Sequence, residues 1–172
     1  VVHEIRQDLG EIQQLRASAH DAGDHEVEAR ALVVAAQLRT THMADLDTAL
    51  RELETAELLA KRLGNAAIEV EALLHLGRLH RRRSQFELAR DVLERALSLT
   101  EEAGSRRLLC EILVWLSSIK FMLGERDVPL AERARVTAVQ SDRKLDQGWA
   151  LMHLSAHYIL DDDPAAGLTA MM

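Results

Sequence analysis

His153, His157 and Asp161 follow one another at intervals of four residues. On a helix that spacing puts all three on one face. Two imidazoles and a carboxylate in a row could hold a divalent metal, and a metal-dependent enzyme is the reading that follows. A second set lies in "LGRLHRRRSQFELARDVLERA", from Leu76 to Ala96. There Gly77 interrupts an apolar pattern and Arg78, Arg81, Arg82 and Arg83 follow it, which could suit an anion. A third feature is the lone thiol of Cys110.

Each has a plainer reading. The histidine row lacks the glutamate of an HExxH motif and any further ligand, so it reads as a solvent-facing pair with no metal. His75 and His80 are five apart and point different ways. A phosphate loop needs glycines before a helix, not within one, so Gly77 reads as a packing residue that costs about 1 kcal/mol relative to alanine. Arg81, Arg82 and Arg83 fall in a last helical turn, where cations oppose the helix dipole. They read as a solvated cap, with a basic partner-binding patch as the alternative. Cys110, beside Leu109 and Ile112, reads as a small buried hydrophobe. No GxSxG, Walker or Cys-His signature occurs, and no carboxylate pair is marked as acid and base. The expectation is a protein that is not an enzyme, with no cofactor.

The elements that must position these residues are helices. Of 172 residues, 48% are apolar, 3% aromatic and two are proline. Such a chain favours helical packing over a sandwich or barrel. The formal charge of −7 argues against nucleic acid as a partner. One cysteine excludes an internal disulfide. No run of 18 apolar residues occurs, so no membrane span is expected. "VVHEIRQDLG" has neither a leader pattern nor an initiator methionine, and a fragment or processed product is expected.

The chain repeats itself. Ile68, Val70, Ala72, Leu73, Leu74, Leu76, Gly77 and Leu79 match Val27, Ala29, Ala31, Leu32, Val33, Ala35, Ala36 and Leu38 at minus 41. At plus 40 they match Leu108, Cys110, Ile112, Leu113, Val114, Leu116, Ser117 and Ile119. A fainter copy holds Ala150, Leu151, Met152, Leu154 and Ser155. The column of Gly77 reads Ala36, Gly77, Ser117, Ser155. It is always small, as a close helix crossing requires. Ala89, Leu93, Ala96 and Gly104 recur at minus 40 as Ala49, Leu53, Ala56 and Gly64. Gly23, Gly64 and Gly104 read as left-handed helix caps. Ser84 with Glu87 reads as a capping box, and Asp163–Pro164 as a helix start. Helices are expected near 3–22, 25–40, 44–63, 66–83, 85–103, 106–123, 128–142 and 146–160, with a short one from 164. The organisation is a single domain: 3–22 as the second helix of a preceding repeat or a cap, repeats at 25–64, 65–104 and 105–143, and a partial repeat at 145–172.

These residues resemble the tetratricopeptide repeat (TPR) family. Leu76, Gly77, Ala89, Leu93 and Ala96 fall at its signature places, and Tyr158 at its aromatic position in the fourth copy. The period of about 40 exceeds the usual 34, and is similar to the arrays of bacterial signalling and regulatory proteins. Pro129 stands where the alignment expects alanine, so the helix there should be displaced by about two residues. The resemblance implies an all-α fold, a right-handed α-solenoid of antiparallel hairpins, whose first helices line a concave groove. Groove positions would be Arg30, Val33, Gln37 and Thr40; Glu71, Leu74, Arg78 and Arg81; Glu111, Val114, Ser118 and Phe121; Trp149, Met152, Ala156 and Ile159. Val33 and Leu74 replace the polar clamp of chaperone-tail binders, so that activity is not expected. The implied function is a non-catalytic, cytoplasmic protein- or peptide-binding module of a signalling or transcription-regulating protein. Phe121, Trp149 and Met152 would supply affinity, and Arg78 and Arg81 polarity. The alternative is a homodimer formed through the apolar C-terminal end. The metal enzyme on His153, His157 and Asp161 is the distant third.

Overall fold

The computed structural model describes residues 2–42, 45–103, 106–140 and 144–160, together with Ala165 and Thr169. Among the described residues the protein is all-helical. It comprises α1 (Val2–Asp21), α2 (His25–Thr41), α3 (Leu46–Leu63), α4 (Ala66–Arg82), α5 (Phe86–Ala103), α6 (Arg106–Met122), α7 (Val128–Gln140) and α8 (Lys144–Leu160). No boundary differs from the expected one by more than two residues. The helix expected from 164 and its Asp163–Pro164 start lie outside the described residues, as does Gly104.

Local chemistry sets these boundaries. The side chains of Asp24, Asp45, Asn65 and Asp127 accept from the amides of Val27, Thr48, Ile68 and Leu130, three residues on, at 3.0–3.2 Å. Each satisfies one otherwise orphaned N–H of a first turn. Gly23, Gly64 and Gly124 take the left-handed conformation at φ 70, 64 and 71°, as expected for the first two. Ser84 corrects the capping-box reading. α5 begins at Phe86, so the residue before its first turn is Gln85, whose carbonyl accepts from the Ala89 amide; Ser84, left-handed at φ 58°, stands one position too early to cap it. It turns the chain between α4 and α5, as Gly124 does 40 residues later between α6 and α7.

The chain divides into two compact units, Val1–Arg83 and Ser84–Met172. In the first, α2 packs on α1, α3 and α4, and α3 packs on α4. Its core cluster joins Ala29, Leu32 and Val33 of α2 to Ala56 and Ala60 of α3 and to Ile68 and Ala72 of α4. In the second, α6 packs on α5, α7 and α8, and α7 packs on α8. There Cys110, Leu113 and Val114 of α6 meet Ala134 and Ala138 of α7 and Ala150 of α8. Adding 81 to Ala29, Leu32 and Val33 gives Cys110, Leu113 and Val114. The two cores are one pattern written twice. Each fully buried leucine contributes about 1.5–3 kcal/mol, and the alanines between them let helices approach closely. Pro129 sits in the first turn of α7, where its missing N–H costs nothing. Ala131 and Ala138 are buried 42 residues after Ala89 and Ala96 rather than 40, the expected displacement of two.

One buried ion pair crosses the first unit. Arg39 Nε of α2 lies 3.2 Å from Glu52 Oε2 of α3. Neither atom is aligned for a hydrogen bond, so the attraction is coulombic. Burial raises the Glu52 carboxyl above its ordinary value, against the opposing pull of Arg39 and Arg16.

Candidate interaction faces on the even-numbered helices

Helical spacing gives α2 and α8 each one stripe that its own unit leaves open, whereas α4 and α6 are covered along most of their length. On α2 the stripe is Arg30, Val34, Gln37 and Thr41, all exposed. Arg30 is held by Glu26 at 3.1 Å. Val34, Gln37, Leu38 and Thr41 form one wall of an open cleft of about 440 Å³ whose other wall is Asp8 and Ile12 of α1. Val34 is 49% exposed there, whereas Val33 is buried in the first core. One residue is a 100° rotation about the helix, so Val34, not Val33, faces the opening.

On α4, Leu74 is buried, while Glu71, Arg78 and Arg81 are half-buried and engaged in polar or electrostatic contacts. Burial lowers the Arg81 pKa, and neighbouring Arg82 adds to the effect. Arg83 pairs with Asp47 of α3. The three arginines thus differ, and only Arg82 is exposed.

In the second unit the same rotation recurs on α6 but not on α8, where Trp149, Met152 and Ile159 are exposed as expected and His153 is buried. Val114 and Ser118 are buried, while Glu111, Trp115 and Phe121 are half-buried. Trp115 of α6 lies 6.4 Å from Trp149 of α8, ring centre to ring centre, with the planes inclined by 31°. His153 stacks on Trp149, ring centres 6.0 Å apart. Trp149 and Met152 are each 45% exposed. Two aromatic rings, an imidazole and a thioether thus form a preformed patch, the composition that anchors partners at protein interfaces. Sequence reasoning missed Trp115. Its column, Val34, His75, Trp115 and His153, is no signal of exposure, because His75 and His153 are buried while Val34 is exposed.

The histidine row is corrected. His153 and His157 are buried, not solvent-facing, and Asp161 lies outside the described residues. His157 Nε2–H donates to the Ser117 carbonyl at 2.9 Å, and His157 Nδ1 accepts from the Asp127 amide at 3.3 Å. Because an amide can only donate, the imidazole is the neutral Nε2–H tautomer. Both ring nitrogens are committed to the fold. Cys110 is buried, as expected. A different group gathers at the α1–α2 turn, where the Nδ1 atoms of His20 and His25 lie 3.1 and 3.2 Å from the two carboxyl oxygens of buried Glu28. Burial alone would raise Glu28; the two imidazole hydrogen bonds more than reverse it, and its pKa is lowered. Among the described residues no group of three His, Cys, Asp or Glu side chains is placed to hold a metal ion. None of the helices searched is long and apolar enough to cross a membrane.

No protein-family model matches the chain, and no curated protein matches it.

Proposed function

We propose that the chain is a protein-interaction module built of tetratricopeptide-like hairpins, which binds a polypeptide partner through the aromatic face of α6 and α8. Support for the hairpin reading comes from the doubled core, the 40-residue recurrence, and the way α2 packs on α4 and α6 on α8. The single observation that carries the binding reading is Trp149, 45% exposed against Trp115 with Met152 beside it. An indole held on a rigid helix pair loses little entropy on binding, and such residues dominate interface energetics. In the larger setting implied by the resemblance, the module would be the sensing or scaffolding part of a cytoplasmic regulatory protein.

A random-peptide display selection tests this. Wild-type protein should enrich related sequences, and the Trp115→Ala, Trp149→Ala double variant should lose them while its helix content stays. No enrichment, or enrichment unchanged in the variant, would sink the reading.

A second reading has its own observation. Leu145 is 74% and Ile159 61% exposed on α8, alongside Trp149 and Met152. An apolar stripe of that kind also suits pairing of two copies. Sedimentation across concentrations should then show a dimer that Ile159→Glu dissolves.

A further inference from the structure

We propose that the α1–α2 cleft docks an amphipathic α-helix of a partner polypeptide that carries an arginine beside its apolar stripe. The inference goes beyond the aromatic face of α6 and α8 to a second site and its occupant, and it rests on the interaction-module reading. Its basis is the repetition within the first unit. Adding 41 to the six cleft residues gives Arg78 and Arg82 for Gln37 and Thr41, half-buried and exposed respectively at the rim, and Ala49, Leu53, His75 and Leu79 for Asp8, Ile12, Val34 and Leu38. Ala49, Leu53, His75 and Leu79 are all buried. They belong to α3 and α4, and the helix of this unit that packs on both is α2. The cleft is therefore the counterpart, one repeat earlier, of the seat that α2 fills.

The seat also specifies charge. Glu52 of α3 takes Arg39 of α2 at 3.2 Å. Its counterpart on α1 is Glu11, which is exposed and whose carboxyl accepts only a 3.3 Å bond from its own helix neighbour Gln7 among the described residues. Asp8, which lines the cleft, stands where the later copy has Ala49, and Glu11 lies three residues further along the same helix, beside the lining residue Ile12. A helix with leucines and alanines on one stripe would place side chains between Ile12 and Val34. An arginine at the position of Arg39 would reach Glu11 and Asp8. Helix-in-groove recognition of this kind reads anchors at i, i+3, i+4 and i+7.

The probe is a synthetic peptide of residues 25–41, the sequence of α2 itself. A side-chain bridge between the exposed positions of Glu26 and Arg30 holds it helical, since a free 17-residue helix is marginal in water. Methyl NMR of the intact chain is the readout. Saturable shifts at Ile12, Val34 and Leu38 are expected. Peptide Arg39→Glu should bind more weakly, by up to about five-fold, the upper range for one rim ion pair. Chain Glu11→Arg should restore binding of that charge-reversed peptide. Ile12→Glu, at a half-exposed position, should abolish binding with the fold intact. Four results would overturn the proposal: no shift at millimolar peptide, equal binding of a scrambled bridged peptide, indifference to Ile12→Glu, or shifts centred on Leu53 and Leu73, which would mean that the peptide displaces α2. Failure here is distinguishable from failure of the broader reading, because the tryptophan patch that carries the latter lies in the other unit.

Discussion

His157 of α8 donates from Nε2 to the main-chain carbonyl of Ser117 on α6, 40 residues away and 2.9 Å distant. With Asp127 donating to its other nitrogen, one fully buried ring ties α8 to both α6 and the start of α7. His157→Phe keeps most of the volume and removes both bonds, leaving the Asp127 amide without its acceptor. A loss of about 2–4 kcal/mol is expected, read from urea denaturation. His157→Gln, which can remake one bond, should lose less. Equal stability of the Phe variant would show that the ring is held by packing alone.

Asp127 accepts from Leu130 N–H and from Lys120 Nζ, the latter at 2.7 Å. Burial pushes its carboxyl up, but the bonds to Lys120 and Leu130 outweigh this and its pKa is lowered from the ordinary 3.8. A carboxylate with a depressed folded-state pKa adds stability above its unfolded value, and that stability is lost as pH falls through the folded value. Asp127→Asn should therefore cost about 1–2 kcal/mol at pH 7. The gap to the parent should narrow below about pH 4. Melting both proteins from pH 7 to pH 2 checks the sign.

Glu52 behaves in the opposite sense. Its raised pKa means a contribution that is present below the ordinary 4.5 and lost as pH rises through the raised value. Glu52→Gln alone strands Arg39 in the interior and should cost about 3–5 kcal/mol. The double change Arg39→Met with Glu52→Leu should come within about 1 kcal/mol of the parent or exceed it. Its standing should be better at pH 7 than at pH 4. A double variant as damaged as the single one would mean that the pair is a net stabiliser.

Ser84 is exposed and left-handed at φ 58°, a conformation that costs an L-residue roughly 1–2 kcal/mol. Ser84→Gly relieves that strain but frees the unfolded chain by about 0.4–1 kcal/mol. A net gain of about 0.5–1 kcal/mol is expected, measured as a higher melting temperature, while Ser84→Val should lower it.

The helices and their buried columns were legible because each obeys a local rule. A 3.6-residue period runs through the helices, an Asp or Asn stands before the starts of α2, α3, α4 and α7, and a glycine follows the ends of α1, α3 and α6. Three features were not. The open stripe was right at Arg30, Gln37, Trp149, Met152 and Ile159 but off by one at two places, since Val33 and Val34, or Val114 and Trp115, are both compatible with a half-buried helix until a neighbour covers one of them. The burial of His157 depends on partners 30 and 40 residues away, which no spacing along α8 reveals. Ser84 followed by Glu87 satisfies the letter of a capping box, but the turn from α4 into α5 needs a left-handed residue at that place.

The sole thiol gives the second unit a built-in clock. Cys110 is buried at the heart of that core, so an aromatic disulfide reagent can reach its sulfur only when the unit opens. Under conditions where closing outpaces the chemistry, the labelling rate equals the intrinsic thiol rate multiplied by the opening equilibrium. His157→Phe and Asp127→Asn, both in this unit, should quicken labelling in proportion to their cost. Glu52→Gln lies in the first unit. If it quickens labelling equally, the two halves open as one cooperative body; if it leaves the rate unchanged, they open separately. A single sulfur atom therefore measures, without any engineered probe, how far cooperativity extends along a chain whose core is written twice.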